Sequence, residues 1–404
     1  MKKLILRLFG KLNKSAKIIL THRAFLRQKG GLRTALLKII FLILFLFILC
    51  PQKVNATEIL NIDEQLNMYD FSDLEKLISN EDLNLDFRDL VKKAMSGDLD
   101  LSFIQVVKSF LNLLFKEIYL NMALFKNLII VGILSGIFKN FTDNFKQKEI
   151  AQLGFYICYV VFIILLFNSF GLSLNIMVNV VDKTSNLMLS LIPLIIGLLF
   201  ASGNQVSALT FNPILFLTVN VITRVIKYFV SPILTMTAVI QMINYLSVKE
   251  TLSKLGEVLK NLISFTLKSI AIIFAAILSL QKLSTPIANN LVVKGVKSTV
   301  SVVPVVGGAL QSAVDTVLYW SSATKSGFMV GAIIIIILFS AIPMIKLFSV
   351  IVIYKIISAL IEPVSDEKIT ECLANMSKLT ILIFAATFIS VLMYLLNIII
   401  SLSI

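Results

Sequence analysis

Long apolar runs constrain this chain more than any other feature. Residues 121–138, 152–179, 186–203, 206–229, 231–246, 262–280, 327–343, 344–362 and 377–401 are each dominated by Leu, Ile, Val, Phe and Ala. A helix of about 20 apolar residues crosses the hydrocarbon core of a bilayer. A helix also satisfies its own backbone polar groups, which no water would reach there. The expected fold class is therefore all-α: a polytopic helical membrane protein with eight or nine spans and amphipathic interfacial helices. The stretch 206–246 is broken by Pro213 and Pro232. It either spans twice or dips in and returns as a re-entrant hairpin.

Composition agrees. The chain is 57% hydrophobic and 15% charged, against about 25% charged in soluble domains. The net charge of +14 divides unevenly. Residues 1–56 hold 12 Lys/Arg and no acid, residues 57–100 carry a net −8, and residues 101–404 a net +10. Removal of the first 56 residues leaves about +2, so the basicity belongs to a leader. It is not the concentrated basic face that nucleic acid binding needs, and no nucleic acid partner is expected.

That leader, 1–56, has the parts of a secretory signal peptide. A basic region ends at Lys38, the 12-residue apolar run Ile39–Cys50 follows, and Val54-Asn55-Ala56 offers small residues for cleavage after Ala56. The run is short for a span. An uncleaved first anchor is the alternative. In either case the chain beyond residue 56 starts on the far side of the membrane.

Residues 57–120 read as an extracytoplasmic acidic helical segment. Ser72-Asp73-Leu74-Glu75 is a capping box, in which hydroxyl and carboxylate each satisfy a free N–H at a helix start. From Phe103 to Leu120 the polar residues Gln105, Lys108, Ser109, Asn112 and Lys116 form one narrow stripe of helical period. The spacing predicts a helix lying in the interface or packed against the spans. Residues 121–404 are the multi-spanning membrane domain. Within it, 247–261 reads as a further amphipathic helix. Residues 281–326 read as an external amphipathic segment of two short helices broken near Pro304. Nine spans would leave the C-terminus inside. Val219–Pro232 resembles Val350–Pro363, and Lys268–Ala276 resembles Lys378–Ala386. The 21-residue difference between those offsets would reverse one partner, as in transporter repeats.

Charge within a span is costly and marks positions to question. Lys227, Lys346 and Glu362 lie near run ends and are expected to snorkel to an interface. Arg224 and Lys355 lie deeper, where a polar conduit lining and snorkelling both remain open. Gly132 and Gly136 form a small-xxx-small pair that lets two helix backbones approach closely. Asn168, Asn220 and Asn244 are able to hydrogen-bond between helices.

The residues of chemistry are scarce. No phosphate-binding loop or dinucleotide fingerprint occurs. The single histidine, His22, is in the leader, and Cys50, Cys158 and Cys372 have no metal-ligand spacing. The expectation is a non-enzyme with no catalytic residue, no cofactor and no metal.

Three blocks carry a family resemblance: Ser190-Leu-Ile-Pro193 to Phe211-Asn-Pro213, Val303-Pro-Val-Val-Gly307 to Asp315-Thr-Val-Leu318, and Ala341-Ile-Pro343 to Glu362-Pro363. With the layout of leader, acidic segment and many spans, the chain resembles the stage III sporulation protein AE family from about residue 100 onward. The resemblance implies a cell-membrane, multi-pass subunit in the mother-cell-derived outer forespore membrane. It implies partners from the same stage III sporulation A-operon: a secretion-type ATPase, ring-forming proteins and small membrane subunits, with a channel partner on the forespore side. Together they form a channel-like, secretion-like complex needed for late forespore development. Two rivals are a stand-alone secondary transporter and a scaffold that anchors the rings.

Overall fold

The computed structural model describes residue 89, residues 91–93, 103–144, 148–201, 205–246, 252–300 and 307–403. The leader with Ala56, the capping box at Ser72–Glu75 and most of the acidic segment lie outside these residues. Among the described residues the secondary structure is helical. The helices are α1 (Phe103–Leu120), α2 (Met122–Asn144), α3 (Lys148–Ala201), α4 (Gln205–Val225), α5 (Ser231–Leu246), α6 (Ser253–Val300), α7 (Gly307–Ile361) and α8 (Glu367–Ser403). A single π-helical turn, Ile226–Val230, joins α4 to α5.

Among the described residues six stretches, not eight or nine, are long and apolar enough to cross a membrane: Met122–Phe141, Gln152–Phe200, Phe216–Tyr245, Ser253–Ile277, Gly327–Ile361 and Glu367–Ile399. Three pairs of expected spans are single rods. Residues 152–179 and 186–203 are one helix of 54 residues, α3, about 81 Å long at 1.5 Å per residue. The polar sequence Asp182-Lys183-Thr184-Ser185 interrupts the apolar run without interrupting the helix. Asp182 meets Lys227 at 2.6 Å, and Thr184 donates its hydroxyl to the Val180 carbonyl at 2.7 Å.

Likewise 327–343 and 344–362 are one helix, α7, with Pro343 inside it. A proline removes one helical hydrogen bond, and flanking helices hold the rod together across that gap. The stretch 206–246 neither spans twice nor turns back. It is α4, the π turn and α5 in continuous line. Pro232 conflicts with the carbonyl four residues earlier, on Tyr228, which lies within that turn. Widening the helix there relieves the clash that would otherwise kink the rod.

Residues 281–326 are also not two short surface helices. Their helical parts continue α6 as far as Val300 and begin α7 at Gly307. The helix foreseen over 247–261 runs from Ser253 directly into α6. Only Phe103–Leu120 has its expected bounds.

Contacts fix the directions. Tyr159 reaches the Met242 carbonyl (3.4 Å) and Asp182 reaches Lys227, so α3 runs antiparallel to α4–α5. Tyr159 also meets Cys372, and Ser185 meets Tyr394, so α8 runs parallel to α3. Gly132 faces Ile361 and Gly136 faces Val364, so α2 and α7 run in parallel. The two pairs of similar segments therefore point the same way, and neither partner is reversed.

Asn144, Lys148, Leu246, Ser253, Ile361 and Glu367 gather at one end of the bundle. Ala201, Gln205 and Ser403 stand at the other. An even number of crossings returns Ser403 to the side of α1, the reverse of the nine-span expectation. Helix α1 crosses α7 through Phe110 and Phe348, with ring centroids 6.5 Å apart, and through Glu117 and Lys346 at 4.0 Å. Its Phe115 and Tyr119 stay exposed, as suits a helix in the interface.

Helix α8 is the axis of the packing. Thr380, Ile383, Thr387, Ser390, Tyr394, Asn397 and Ser401 follow one another at alternating three- and four-residue steps. None is more than 1% exposed. In water such a stripe would be apolar. Here six of seven members are polar, as suits a bundle whose surroundings are as apolar as leucine.

Candidate functional site

A group of interacting polar side chains lies where α3, α4 and α8 meet beside the π turn. Asp182 of α3 and Lys227 of the π turn form an ion pair at 2.6 Å, each side chain 35% exposed. The Lys227 ammonium also stands 5.9 Å from the Tyr228 ring centroid. One turn along α4, Thr223 shares a 2.8 Å hydrogen bond with the Tyr394 hydroxyl. Ser185, one turn along α3 from Asp182, reaches the same hydroxyl. The arrangement is a half-exposed salt bridge joined to a buried hydroxyl cluster. It offers no nucleophile paired with a base. Cys158 and Cys372 are free thiols, and no group of three potential metal ligands occurs among the described residues.

Lys227 is thus paired: it lies in the π turn, and Asp182 of α3 neutralises it. Lys346 likewise points to Glu117, whose carboxylate is nearly buried. Glu362, just past the end of α7, is exposed.

The two conduit candidates are not brought together. Arg224 sits one turn from Lys227 with its side chain exposed. Lys355, half-buried, adjoins Tyr354, which lies beside Ser169 and Cys372. Ser169 and Asp182 are separated along α3 by about 20 Å. Neither Arg224 nor Lys355 has an ion-pair partner among the described residues.

Gly132 and Gly136 lie where α2 meets the end of α7. A Cβ on Gly132 would come within 3.0 Å of the Ile361 Cδ1. One on Gly136 would stand 1.9 Å from the Val364 carbonyl oxygen, inside its van der Waals sphere. The close approach lets Lys139 pair with Asp366 at 3.4 Å and Ser135 meet Ser365 at 3.4 Å. The glycines thus pack helices within one chain.

Asp182, Ser185, Thr223 and Tyr394 were not singled out from the sequence. The signal that would have found Tyr394 is the stepwise recurrence of Thr, Ser, Tyr and Asn through the last apolar run. Nothing local marks Asp182, whose partner is 45 residues away.

These features define, among the described residues, an all-helical, polytopic membrane protein with a set of hydroxyl and amide side chains buried inside the bundle. The match that follows is more specific. The model of the family Stage III sporulation protein AE covers residues 85–404, and the chain belongs to that family. Stage III sporulation protein AE of Bacillus subtilis (strain 168) is 29% identical over 291 residues, covering 72% of this chain and 73% of the relative. No solved structure matches the chain.

Proposed function

We propose that this protein is a non-enzymatic membrane subunit of a channel-like, secretion-like complex between mother cell and forespore. The observation that carries the reading is membership of the stage III sporulation protein AE family across the whole membrane bundle. The packing is compatible with it. The site holds a salt bridge and hydroxyls, and the energy for any transport falls to a partner such as the operon's ATPase. The subunit resides in the outer forespore membrane. There α1 and the acidic segment face the space between the two membranes, where ring-forming partners assemble. Lys139, Lys148 and Lys254 then stand toward the cytoplasmic side and Lys282, Lys294, Lys297 and Lys325 toward the other, so the positive-inside bias is weak and the orientation rests on the leader.

The test is a C-terminal fusion to a fluorophore that matures outside the cytoplasm, expressed from the native promoter. A focus or ring at the engulfed forespore, absent in growth, is the expected result. Recovery of operon partners on mild solubilisation should accompany it. An even envelope signal in growing cells overturns the proposal and favours a stand-alone transporter.

A further inference from the structure

The rods of the bundle are longer than one bilayer. Helix α3 measures about 81 Å against a hydrocarbon core of about 30 Å, so much of it stands outside lipid. The charges partway along the rods share one level. Asp182 of α3 meets Lys227 of the π turn at 2.6 Å. Helices α5 and α6 meet where Gly256 faces Gln241. From that contact Lys268 lies about 18 Å along α6, and Lys227 about 21 Å along α5 and the π turn. Helices α7 and α3 meet at Tyr354 and Ser169. From there Lys346 lies about 12 Å along α7, and Asp182 about 20 Å along α3.

Lys183, Arg224, Lys268 and Lys346 are all exposed, and Tyr228 beside them is 71% exposed. Helix α1 joins the same level through Glu117 and Lys346, with Tyr119 74% exposed. Four helices thus carry outward cations in one collar, with tyrosines and an amphipathic helix beside them. Charge facing hydrocarbon is costly, whereas Lys, Arg and Tyr settle at the interface.

We infer that this collar binds the lipid headgroup layer on the side where α1 lies, its cations meeting lipid phosphates. The bilayer then occupies only the tier between the collar and the end where Leu246, Ser253 and Glu367 gather. Lys227 and Leu246 are about 28 Å apart along their rod, one hydrocarbon thickness. The tier holds α2, a helix of single-bilayer length whose Ile130, Ile133, Leu134 and Ile137 are exposed. On α3, large apolar residues are exposed from Leu153 to Leu172, but beyond Asp182 only Phe200 is, among the described residues. Cations inside the tier lie toward its edges. Lys126 is one turn inside α2. Lys260 and Lys355 stand about 10 Å from Ser253 and Ile361, within reach of the interface by snorkelling. Lys378 turns to Asn375, one turn nearer the end, at 3.1 Å. Past the collar α3 continues about 28 Å to Ala201 and α4 returns from Gln205. This hairpin stands outside the lipid, although both its arms read as spans in the sequence.

The test uses full-length protein in lipid vesicles, with Trp320→Phe removing the one tryptophan. Single new tryptophans then report contact with lipids brominated near the headgroup or near the chain end. Phe167→Trp, halfway between Gln152 and Asp182, should lose at least half of its emission, mostly to the deep bromines. Tyr228→Trp, at the collar, should lose most to the shallow bromines. Phe216 is 52% exposed and about 16 Å past the collar, so Phe216→Trp should keep its emission with both. Leu217→Trp, at a site 60% exposed, supplies the same reading if Phe216→Trp does not accumulate. Quenching at residue 216 or 217 equal to that of Phe167→Trp overturns the placement, as does stronger deep than shallow quenching of Tyr228→Trp. Forespore localisation of the protein is unaffected by either result.

Discussion

Helices α6 and α8 look alike as sequence. Each begins in a charged segment and continues as a long apolar run, with mean hydropathy 1.6 and 2.5 over the best stretch. In the bundle they are opposites: 17% of the α6 stretch is buried against 56% of the α8 stretch. The outer face of α6 presents Leu255, Val258, Phe265, Ile272 and Ile273. The inner face of α8 presents Thr387, Ser390, Tyr394 and Asn397. In water the more apolar face would be buried. In lipid, apolar burial between helices brings no gain, and hydroxyls and amides find partners only inside. Polar residues at regular steps thus mark the interior here.

A glycine contact gives the largest test of whether packing rather than hydropathy ranks these helices. Helix α2, also mostly lipid-facing, is held to α7 by close approach. Gly136→Ala places a Cβ against the Val364 backbone, which has no side chain to swing aside. A loss of about 3 kcal/mol is expected, read as a lower thermal midpoint in detergent. Gly132→Ala meets only the tip of Ile361 and should cost about 1 kcal/mol or less.

The next contrast compares two threonines with one chemistry. Thr387 of α8 and Thr266 of α6 each bond back to the carbonyl four residues earlier, both at 2.9 Å. Thr387 is fully buried, whereas Thr266 lies toward the surface. Thr387→Leu should cost about 1–3 kcal/mol by overpacking. Thr266→Leu should fall within about 0.5 kcal/mol of the parent, as surface changes do. Equal midpoint shifts would break the comparison.

Two smaller effects sharpen it. Tyr394→Phe removes the bond to Thr223 and should cost about 0.5–1.5 kcal/mol, with no change in helix content by circular dichroism. A double-mutant cycle with Asp182→Asn and Lys227→Met should give a coupling of roughly 0.5–1 kcal/mol, modest because both groups are partly solvated. Gly171→Ala changes sign. No atom lies within 4 Å of its Cβ position, so it should stabilise α3 by about 0.5–1 kcal/mol through helix propensity alone.

Membrane class, helical architecture and the bounds of the helix Phe103–Leu120 were legible from hydropathy and period, because they depend on nearest neighbours along one chain. Gly132 and Gly136 were legible as packing residues by type, though α7 as their partner was not. The span count was misread at Asp182–Ser185, at Pro343 and at Pro232. A charge or a proline signals a break only if nothing compensates it. Here Lys227 compensates the first, flanking helices the second and the π turn the third. Those compensations come from residues distant in sequence, or from backbone geometry that no composition encodes.

The sequence by itself determined that this chain is a helical membrane protein, and its signature blocks determined its resemblance to a sporulation family. Both follow from the cost of placing backbone and charge in hydrocarbon, which acts residue by residue. Only the tertiary structure decided that α8 is central while α6 is peripheral, and that Asp182 answers Lys227. It also decided that the last helix ends on the side where α1 lies. Those outcomes depend on which helix faces which, and in lipid that choice rests on complementarity between partners far apart in the chain.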